Sequence, residues 1–481
     1  MALSGSRKGG VDARLVQRRT HEQMRKALII AYRFPPQGGG GVQRTLKFVK
    51  YLRRFDWWPV VHTVKNPYWP LRDETLRQEI PDGIRIYRTR TFEFERVEKR
   101  LGNRLHKPKP WVAGTAGRRG VLSSLRQAVY NRVLVPDPQI AWVPWAVVKS
   151  IYIAQREGVE VIYTTSPPNS SQILGLLLKK TLRKPWIADF RDPWTEGIRR
   201  QLAYENNRGR QRVEEALEHS VISNADHIIV TTEGAAEQFV AKYPSVPPSK
   251  FSVITNGFDP ADFRRVIPKR MHLNDGEFTV TLLGNVETMF DAAPFFEAVK
   301  SLLEESTEIR SRLRVYFIGT KRGKYDSYIE HNNLTRHITY VNYVPHAEGV
   351  QYLAESDVLF FCQIPEYGSA SVKLPGKLFE YLYMRKPILA LTIPGVTTEL
   401  LERAGLGVVV SPTDTQGIKR ALRELYDQWQ QGKWKFVPDE AFISSFDRVR
   451  LTERLAHVFS AVTSRNGSAV SRKREPEIAG A

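Results

Sequence analysis

Short apolar runs, each bounded by turn-forming residues, recur along the first half of the chain and predict buried β-strands. The first run, 26–32, is followed by a Pro-Pro pair and by four consecutive glycines at 38–41. Beyond the glycines, apolar residues recur at helical spacing and predict an amphipathic helix over 42–54. Further strands are predicted at 60–64, 84–87, 159–163, 186–189, 227–231 and 251–254. Because helical stretches lie between several of these runs, we expect a doubly wound α/β domain.

A turn-rich segment at 256–260 interrupts this alternation, and a second series of strands and helices begins after it. We therefore expect two Rossmann-like domains, the first over 26–265 and the second over 266–446. The helical periodicity of 447–462 predicts one further helix at the end of the ordered chain.

Both ends of the chain are polar. Residues 1–25 are basic without an apolar core, so they do not form a secretory signal, and we expect a disordered arm in which Met24 could be the natural start. The tail, 463–481, is also predicted to be disordered. No apolar run reaches the length of about 20 residues that a membrane span needs. Cys362 is the one cysteine, which excludes an internal disulfide and a cysteine zinc cluster.

The net charge of +21 is distributed very unevenly. Residues 1–265 hold 45 Lys and Arg against 25 Asp and Glu, whereas 266–481 hold 27 against 26. This asymmetry indicates an anionic partner for the first domain, such as nucleic acid, an anionic membrane or a phosphate-bearing substrate. Nucleic acid is the least favoured of these because no recognised binding module is present. A merely solubilising surface remains an alternative.

A basic insert at 94–133 interrupts the first domain. It holds ten Lys and Arg against two acidic residues, interleaved with apolar residues such as Trp111 and Leu122. This composition suits an anionic membrane surface or a lipid-linked acceptor, and we predict reversible membrane association through it. A pair of solvated surface helices would have the same composition, so both interpretations stay open.

Polar residues follow the predicted strands of the first domain, where ligands bind in open α/β sheets. The turn Gly39-Gly40-Gly41 precedes a helix N-terminus, so its backbone could approach a phosphate or a sugar hydroxyl. The segment 189–194, Asp-Phe-Arg-Asp-Pro-Trp, places Asp189, Arg191 and Asp192 after a strand. These three side chains could line a cleft and contact an acceptor, or form an internal Arg–Asp pair that braces the loop.

The segment 371–391 contains the clearest chemical pattern in the second half. Gly376 follows a proline and opens a predicted helix, with Lys377 in its first turn and Glu380 one turn later on the same face. A lysine at a helix N-terminus strengthens an anion site, and a carboxylate can accept hydrogen bonds from a vicinal diol such as a ribose. Lys373 lies four residues before Lys377 and adds to the same site, unless these residues form a salt-bridged surface helix.

Five segments together carry a family resemblance. They are the Pro-Pro–glycine loop at 35–41 with Gln43 and Arg44, Thr-Ser-Pro-Pro at 165–168, Asp-Phe-Arg-Asp-Pro-Trp at 189–194, Val-Ile-Thr-Asn-Gly-Phe-Asp at 253–259, and Lys-Leu-Phe-Glu-Tyr-Leu at 377–382. Over roughly 26–462 the chain resembles GT-B glycosyltransferases of the large retaining family 4 type. That family includes bacterial exopolysaccharide, capsule and lipid-glycan transferases.

The resemblance implies two facing Rossmann-like domains with a deep cleft between them, and a final helix that crosses back to the first domain. It implies that the first domain binds the acceptor and the second binds a nucleoside-diphosphate sugar, without metal or cofactor. The implied donor-binding residues are Lys373, Lys377, Glu380, Lys321, Gly284 and Asn256. The implied phosphate loop is Gly39, Gly40, Gly41 and Arg44, and the catalytic candidates are Asp189, Arg191 and Asp192.

The sequence departs from the family pattern in three places. The usual arginine and lysine pair after the first strands of the second domain has no clear match, and Lys321 and Arg322 are the candidates for its place. The family often carries two glutamates spaced seven residues apart, and Glu380 matches the second whereas Val372 stands at the first. Glu366 lies nearby without the required spacing. The catalytic histidine of some members has no match, and Arg191 or Asp192 lies nearest to its place.

We expect a retaining, metal-independent glycosyltransferase that acts on a lipid-linked or polysaccharide acceptor. Its expected location is cytoplasmic, on the inner face of the plasma membrane. Two alternatives remain, a sugar-nucleotide epimerase of the same fold and a non-catalytic assembly protein.

Overall fold

The structure is a computed structural model. It describes residues 23–68, 71–92, 134–196, 207–267, 270–284, 292–319, 323, 325–363 and 373–472. The basic insert predicted at 94–133 lies outside the described residues, as does most of the arm predicted at 1–25. No helix in the described part of the chain is both long enough and apolar enough to cross a membrane.

The first domain is built on a seven-stranded sheet. Its strands are β1 (Arg25–Ile30), β2 (Trp57–Val64), β3 (Ile86–Thr89), β4 (Val161–Ser166), β5 (Trp186–Phe190), β6 (His227–Val230) and β7 (Phe251–Val253). They pair in the order β3-β2-β1-β4-β5-β6-β7, and each pairing is parallel. Helices cover both faces of such a sheet, which is why its strands are near-continuous apolar runs. Each strand predicted for this half is present.

The helices of the first domain and of the segment that leaves it surround this sheet. They are α1 (Gly40–Tyr51), α2 (Val143–Glu157), α3 (Ser170–Leu182), α4 (Arg208–Asn224), α5 (Glu233–Lys242) and α6 (Pro260–Phe263). Short 3-10 helices lie at Leu52–Phe55, Glu74–Glu79, Pro138–Trp142 and Pro248–Lys250. Helix α1 buries Val42, Leu46 and Val49, the apolar positions from which the helix was predicted.

The second domain repeats the plan with six parallel strands. They are β8 (Phe278–Leu283), β9 (Leu313–Ile318), β10 (Ile338–Val341), β11 (Val358–Cys362), β12 (Ile388–Leu391) and β13 (Gly407–Val410). Their order is β10-β9-β8-β11-β12-β13. The helices are α7 (Ala293–Glu305), α8 (Thr307–Arg312), α9 (Asp326–His331), α10 (His346–Glu355), α11 (Gly376–Met384), α12 (Val396–Ala404), α13 (Thr415–Gln430) and α14 (Glu440–Ser444).

Two segments of the chain cross side by side between the domains. Phe258 donates its backbone N–H to the Phe446 carbonyl at 3.1 Å, and the N–H of Arg448 donates to the Phe258 carbonyl at 2.9 Å. Gly257 allows this close approach, since a Cβ there would lie 2.1 Å from the Phe446 carbonyl oxygen. The crossing therefore ties the end of the first domain to the end of the second.

The last helix, α15 (Arg448–Arg472), returns from this crossing to the first domain. Its Leu451, Leu455 and Phe459 are buried in one apolar cluster with residues of β1, β2 and α1. Trp57 packs edge-on against Phe459 with ring centroids 5.3 Å apart. The helix continues to Arg472, past the end predicted at 462, so the start of the predicted disordered tail at 463–481 is helical.

Candidate active site between the two domains

A cavity of about 820 Å³ separates the carboxyl ends of the two sheets. In both sheets the strand order reverses next to the first strand, between β1 and β4 and between β8 and β11, and ligands of open α/β sheets bind at such switch points. Most of the residues singled out from the sequence line this cavity. They are Gly39, Gly40, Gly41, Arg44, Arg191, Asp192, Asn256, Gly284, Lys373, Lys377 and Glu380.

Asp189 does not line the cavity, which corrects the expectation that it contacts the acceptor. It is fully buried behind Arg44, which donates to its carboxylate from Nε at 3.0 Å and from Nη2 at 2.8 Å. Tyr163 and Thr165 donate their hydroxyls to the same carboxylate. Burial raises the pKa of Asp189, but Arg44 outweighs burial and holds that pKa below its ordinary value. Asp189 therefore forms a buried ion pair, as the alternative interpretation proposed, but its partner is Arg44 of α1 and not Arg191 of the same segment.

Arg191 borders the cavity and holds three loops together. Its Nε donates to the Ser166 carbonyl at 2.9 Å and its Nη2 to the Pro167 carbonyl at 2.6 Å, while Nη1 donates to the Gly41 carbonyl. The loops that follow β4 and β5 are thereby fixed to the start of α1. Burial lowers the pKa of Arg191, and the nearby carboxylates of Asp192 and Asp189 offset only part of that shift.

The glycine turn brings the first domain against the second. Gly39 has φ of 90°, which favours glycine, and no side chain caps α1. A Cβ on Gly38 would lie 2.2 Å from the Tyr343 hydroxyl of the second domain, so a larger residue there would displace Tyr343. A Cβ on Gly40 would meet nothing within 4 Å, which leaves the helix N-terminus open to the cavity. Uncapped N–H groups at a helix N-terminus favour an anionic ligand.

Lys373, Lys377 and Glu380 form the opposite wall with the N-terminus of α11. Burial lowers the pKa of Lys377 to about 8, and its Nζ lies 5.5 Å from the centroid of the Phe361 ring. An anionic ligand beside Lys377 would raise this pKa again and so favour the charged ammonium form. Lys373 lies 3.2 Å from Asp192 of the first domain, so this ion pair spans the cleft.

Sequence analysis missed His346, the first residue of α10. Its Nε2 lies 2.9 Å from Glu380 Oε1, and its backbone N–H donates to Asp73 Oδ2 of the first domain at 3.0 Å. Burial lowers the pKa of His346, but Glu380 and then Asp262 outweigh burial and raise it to about 9. The available signal in the sequence was the Pro345-His346 pair after the residues of β10, a strand that was not predicted.

Three carboxylates near the crossing, Glu79, Asp259 and Asp262, lie close enough to one another to hold a metal ion. Lys47 contacts all three of them, and Lys50 also contacts Glu79 and Asp259. The two ammonium groups occupy the position that a cation would take, so this cluster does not fit a metal site. It instead fastens α1 to the segment that leaves the first domain.

Four residues that sequence analysis discussed for the donor site cannot be placed. Lys321, Arg322, Glu366 and Val372 lie outside the described residues. The roles expected of Lys321 and of the position occupied by Val372 remain predictions.

Comparison with known proteins identifies both halves of the chain. Residues 39–257 match the model of a glycosyl transferase 4-like domain, and residues 277–428 match that of glycosyl transferases group 1. No curated protein sequence matches the chain.

Several solved structures share the fold at low sequence identity. The Anabaena protein HepE, solved with UDP-glucose, matches at 15% identity with a TM-score of 0.56, covering 91% of this chain and 99% of that one. WaaG, a glycosyltransferase involved in lipopolysaccharide biosynthesis, matches at 12% identity with a TM-score of 0.54, covering 90% and 99%. Sucrose-phosphate synthase from Thermosynechococcus elongatus matches at 14% identity with a TM-score of 0.51, covering 93% and 98%. With both domains matched, the chain belongs to the GT-B glycosyltransferases, as the sequence motifs had indicated.

Proposed function

We propose that this glycosyltransferase moves a sugar from a nucleoside-diphosphate sugar to a lipid-linked or polysaccharide acceptor, with retention of configuration and without a metal ion. The observation that carries the proposal is the cavity, which joins the basic N-terminus of α11 to the glycine turn of the first domain. Retention rests on the family resemblance alone.

The donor is proposed to bind along α11. Lys373, Lys377 and the N-terminus of that helix supply the positive charge that a departing diphosphate needs. Glu380 accepts hydrogen bonds from the ribose through the carboxylate oxygen that His346 leaves available. Asn256 and Gly284 border the same space. This set of groups supports metal-independent transfer, because basic side chains take the place of a divalent cation.

The acceptor is proposed to bind against the first domain. Gly39, Gly40 and Gly41 offer backbone N–H groups, and Arg191 and Asp192 border the cavity beside them. In a retaining transfer the acceptor hydroxyl attacks the sugar as the diphosphate leaves, and the leaving phosphate accepts its proton. The basic first domain suits an acceptor that itself carries phosphate.

Helix α2 supports contact with a membrane on the cytoplasmic side. Trp145, Val148 and Tyr152 are 65%, 69% and 43% exposed, although they are large apolar residues. They recur on one helix face, and Lys149 Nζ lies 4.3 Å from the Tyr152 ring centroid. Such a face suits an anionic lipid surface. Equal sedimentation with neutral and anionic vesicles would refute membrane contact, and Trp145→Gln should weaken binding to anionic vesicles.

A thermal-shift screen of sugar nucleotides, followed by assay of nucleoside diphosphate release, tests the donor assignment. We expect stabilisation by at least one nucleotide family, and release that requires an acceptor. Lys377→Ala and Glu380→Ala should each reduce the shift, whereas Lys435→Ala and Glu402→Ala, exposed and outside the cavity, should preserve it. Donor conversion without any acceptor would identify an epimerase instead, and absence of binding across the whole panel would favour a non-catalytic protein.

A further inference from the structure

Arg448, the first residue of α15, has a buried guanidinium nitrogen, Nη1, that has no hydrogen-bond partner in the described part of the chain. It borders the cavity, yet only 3% of its surface is exposed. Within the described part of the chain, Nη1 is buried without a hydrogen-bond acceptor, and no ion pair includes this side chain. Buried guanidinium groups are usually paired, because desolvation of an unpaired charge is costly.

The other arginines deepest in the cleft do not share this property. Arg44 is even more buried, but Asp189 and the Thr255 carbonyl accept its hydrogen bonds. Arg191 donates to three backbone carbonyls. The hydrogen-bond donors of Arg44 and Arg191 are therefore used within the first domain. Nη1 of Arg448 has no acceptor in the described part of the chain and is available to donate to a ligand.

The carboxylates nearest to Arg448 are already engaged. Glu380 is bonded to His346, while Asp259 and Asp262 contact Lys47. Burial lowers the pKa of Arg448 to about 9, with a further contribution from the charge of Arg44, and these carboxylates offset the shift only in part. Within the described part of the chain, these carboxylates act on the charge of Arg448 from a distance, and none of them forms an ion pair with it.

The backbone holds Arg448 in place. Its N–H donates to the Phe258 carbonyl at 2.9 Å, and its own carbonyl accepts from the Thr452 hydroxyl at 2.6 Å. The first contact belongs to the crossing between the domains and the second lies within α15, so Arg448 is held where the helix leaves the crossing. Gln43, which also borders the cavity, has a buried Oε1 without a partner.

We propose that Arg448 is a substrate-binding residue whose guanidinium binds a phosphate oxygen of a ligand in the cleft. The proposal rests on the proposed function, since the diphosphate of a sugar nucleotide or the phosphate of a lipid-linked acceptor supplies that oxygen. Arg448 lines the cavity, which places its guanidinium beside a ligand bound there. A ligand that binds Arg448 contacts a residue held by both domains. Helix α15 begins at the crossing between the domains and packs on the first domain.

The test compares Arg448→Met with Arg450→Met, which removes an exposed arginine from the same helix. Calorimetric titrations use UDP, GDP, inorganic pyrophosphate and inorganic phosphate, with uridine and guanosine as phosphate-free probes. We expect Arg448→Met to lose about tenfold or more in affinity for each phosphate-bearing probe that the wild type binds, with nucleoside binding unchanged. Arg450→Met should match the wild type, and Arg448→Lys should recover part of the loss.

Thermal stability separates binding from a structural role. Removing a buried charge that lacks a partner should leave the Tm of Arg448→Met equal to or above that of the wild type. A lower Tm together with unchanged phosphate affinity would overturn the proposal, as would a wild type that binds none of the phosphate-bearing probes. Pyrophosphate binding that depends on Arg448, without any nucleotide binding, would support Arg448 and refute the donor assignment instead.

A competition experiment distinguishes the two sources of phosphate. Inorganic phosphate is titrated into wild-type protein saturated with the nucleoside diphosphate that it binds. If Arg448 contacts the donor, the nucleotide should block phosphate binding. If Arg448 contacts the acceptor, phosphate should still bind, and Arg448→Met should abolish that binding.

Discussion

The two walls of the cleft each contain a carboxylate bonded to a basic side chain. The two pairs differ in how many of their hydrogen-bonding atoms are already used within the protein. In the first domain, Asp189 accepts hydrogen bonds from Arg44, Tyr163 and Thr165 and is inaccessible to solvent. In the second, Glu380 is bonded to His346 through Oε1, and both side chains remain partly exposed to the cavity. The first pair has no capacity left for a ligand, whereas the second has.

The comparison teaches that position at the carboxyl edge of a sheet does not by itself make a residue functional. Asp189 lies at the end of β5, where a ligand-binding residue is expected, yet it serves to hold Arg44. The useful criterion is whether a charged group still has a donor or acceptor free to face the cavity. Substitutions in the Arg44–Asp189 pair should therefore affect stability most, and substitutions in the His346–Glu380 pair should affect ligand binding.

Asp189→Ala should be the most damaging substitution. It leaves Arg44 buried without its carboxylate, and loss of one partner from a buried pair costs about 3–5 kcal/mol in unfolding free energy. Denaturant unfolding measures the effect, and Asp192→Ala, at a half-exposed position three residues later, is the matched control. A variant that kept wild-type stability but lost activity would mean that Asp189 acts on the substrate after all.

Replacing both partners sharpens this test. Arg44→Met combined with Asp189→Leu removes both charges and should recover a large part of the stability that Asp189→Ala loses, because no unpaired charge then remains. Unfolding of the double variant at the same denaturant concentration as Asp189→Ala would contradict the pairing argument.

Glu380→Ala should have the opposite signature. We expect roughly 10- to 100-fold weaker binding of the sugar nucleotide, since a hydrogen bond to a charged group is worth about 1.5–3 kcal/mol. The unfolding free energy should change much less than in Asp189→Ala, because Glu380 is reached by solvent from the cavity. Calorimetric titration and denaturant unfolding on the same samples measure both quantities. A stability loss as large as that of Asp189→Ala would place Glu380 among the structural residues.

The pair in the second domain should also respond to pH. The pKa of His346 is raised to about 9 in the folded chain, chiefly because Glu380 outweighs the effect of burial. Because this pKa lies above the ordinary value of about 6.5, protonation of His346 stabilises the folded chain. That stabilisation is fully present below pH 6.5 and disappears as pH rises through 9.

His346→Gln isolates that contribution, because glutamine can still donate to Glu380 but does not titrate. The difference in unfolding free energy between wild type and His346→Gln should be about 1–3 kcal/mol at pH 6 and should shrink toward pH 10. A difference that stays constant across this range would show that the charge of His346 contributes nothing.

Much of this architecture follows from local pattern. The strands of the first sheet and the helix α11 were predicted because their apolar runs are buried and bounded by Gly or Pro. The strand β10 was missed although it is as long as β3 and β6, because three of its residues are partly or fully solvent-exposed and its sequence forms no continuous apolar run. His346 and Arg448 were missed because the residues that they contact are distant in sequence. The imidazole of His346 contacts Glu380, and the backbone N–H of Arg448 contacts Phe258. Sequence spacing carries no information on such contacts.

The smallest effect should come from the pair that spans the cleft. Lys373 and Asp192 lie 3.2 Å apart with 45% and 37% of their side chains exposed, so water and salt screen their attraction. A double-mutant cycle with Lys373→Ala and Asp192→Ala should give a coupling of less than about 1 kcal/mol in unfolding free energy. The coupling should vanish at about 1 M salt, where charges are screened within roughly 3 Å. A coupling that exceeded this bound and survived high salt would mean that the cleft closes more tightly around the pair, which would make it resemble Arg44 and Asp189.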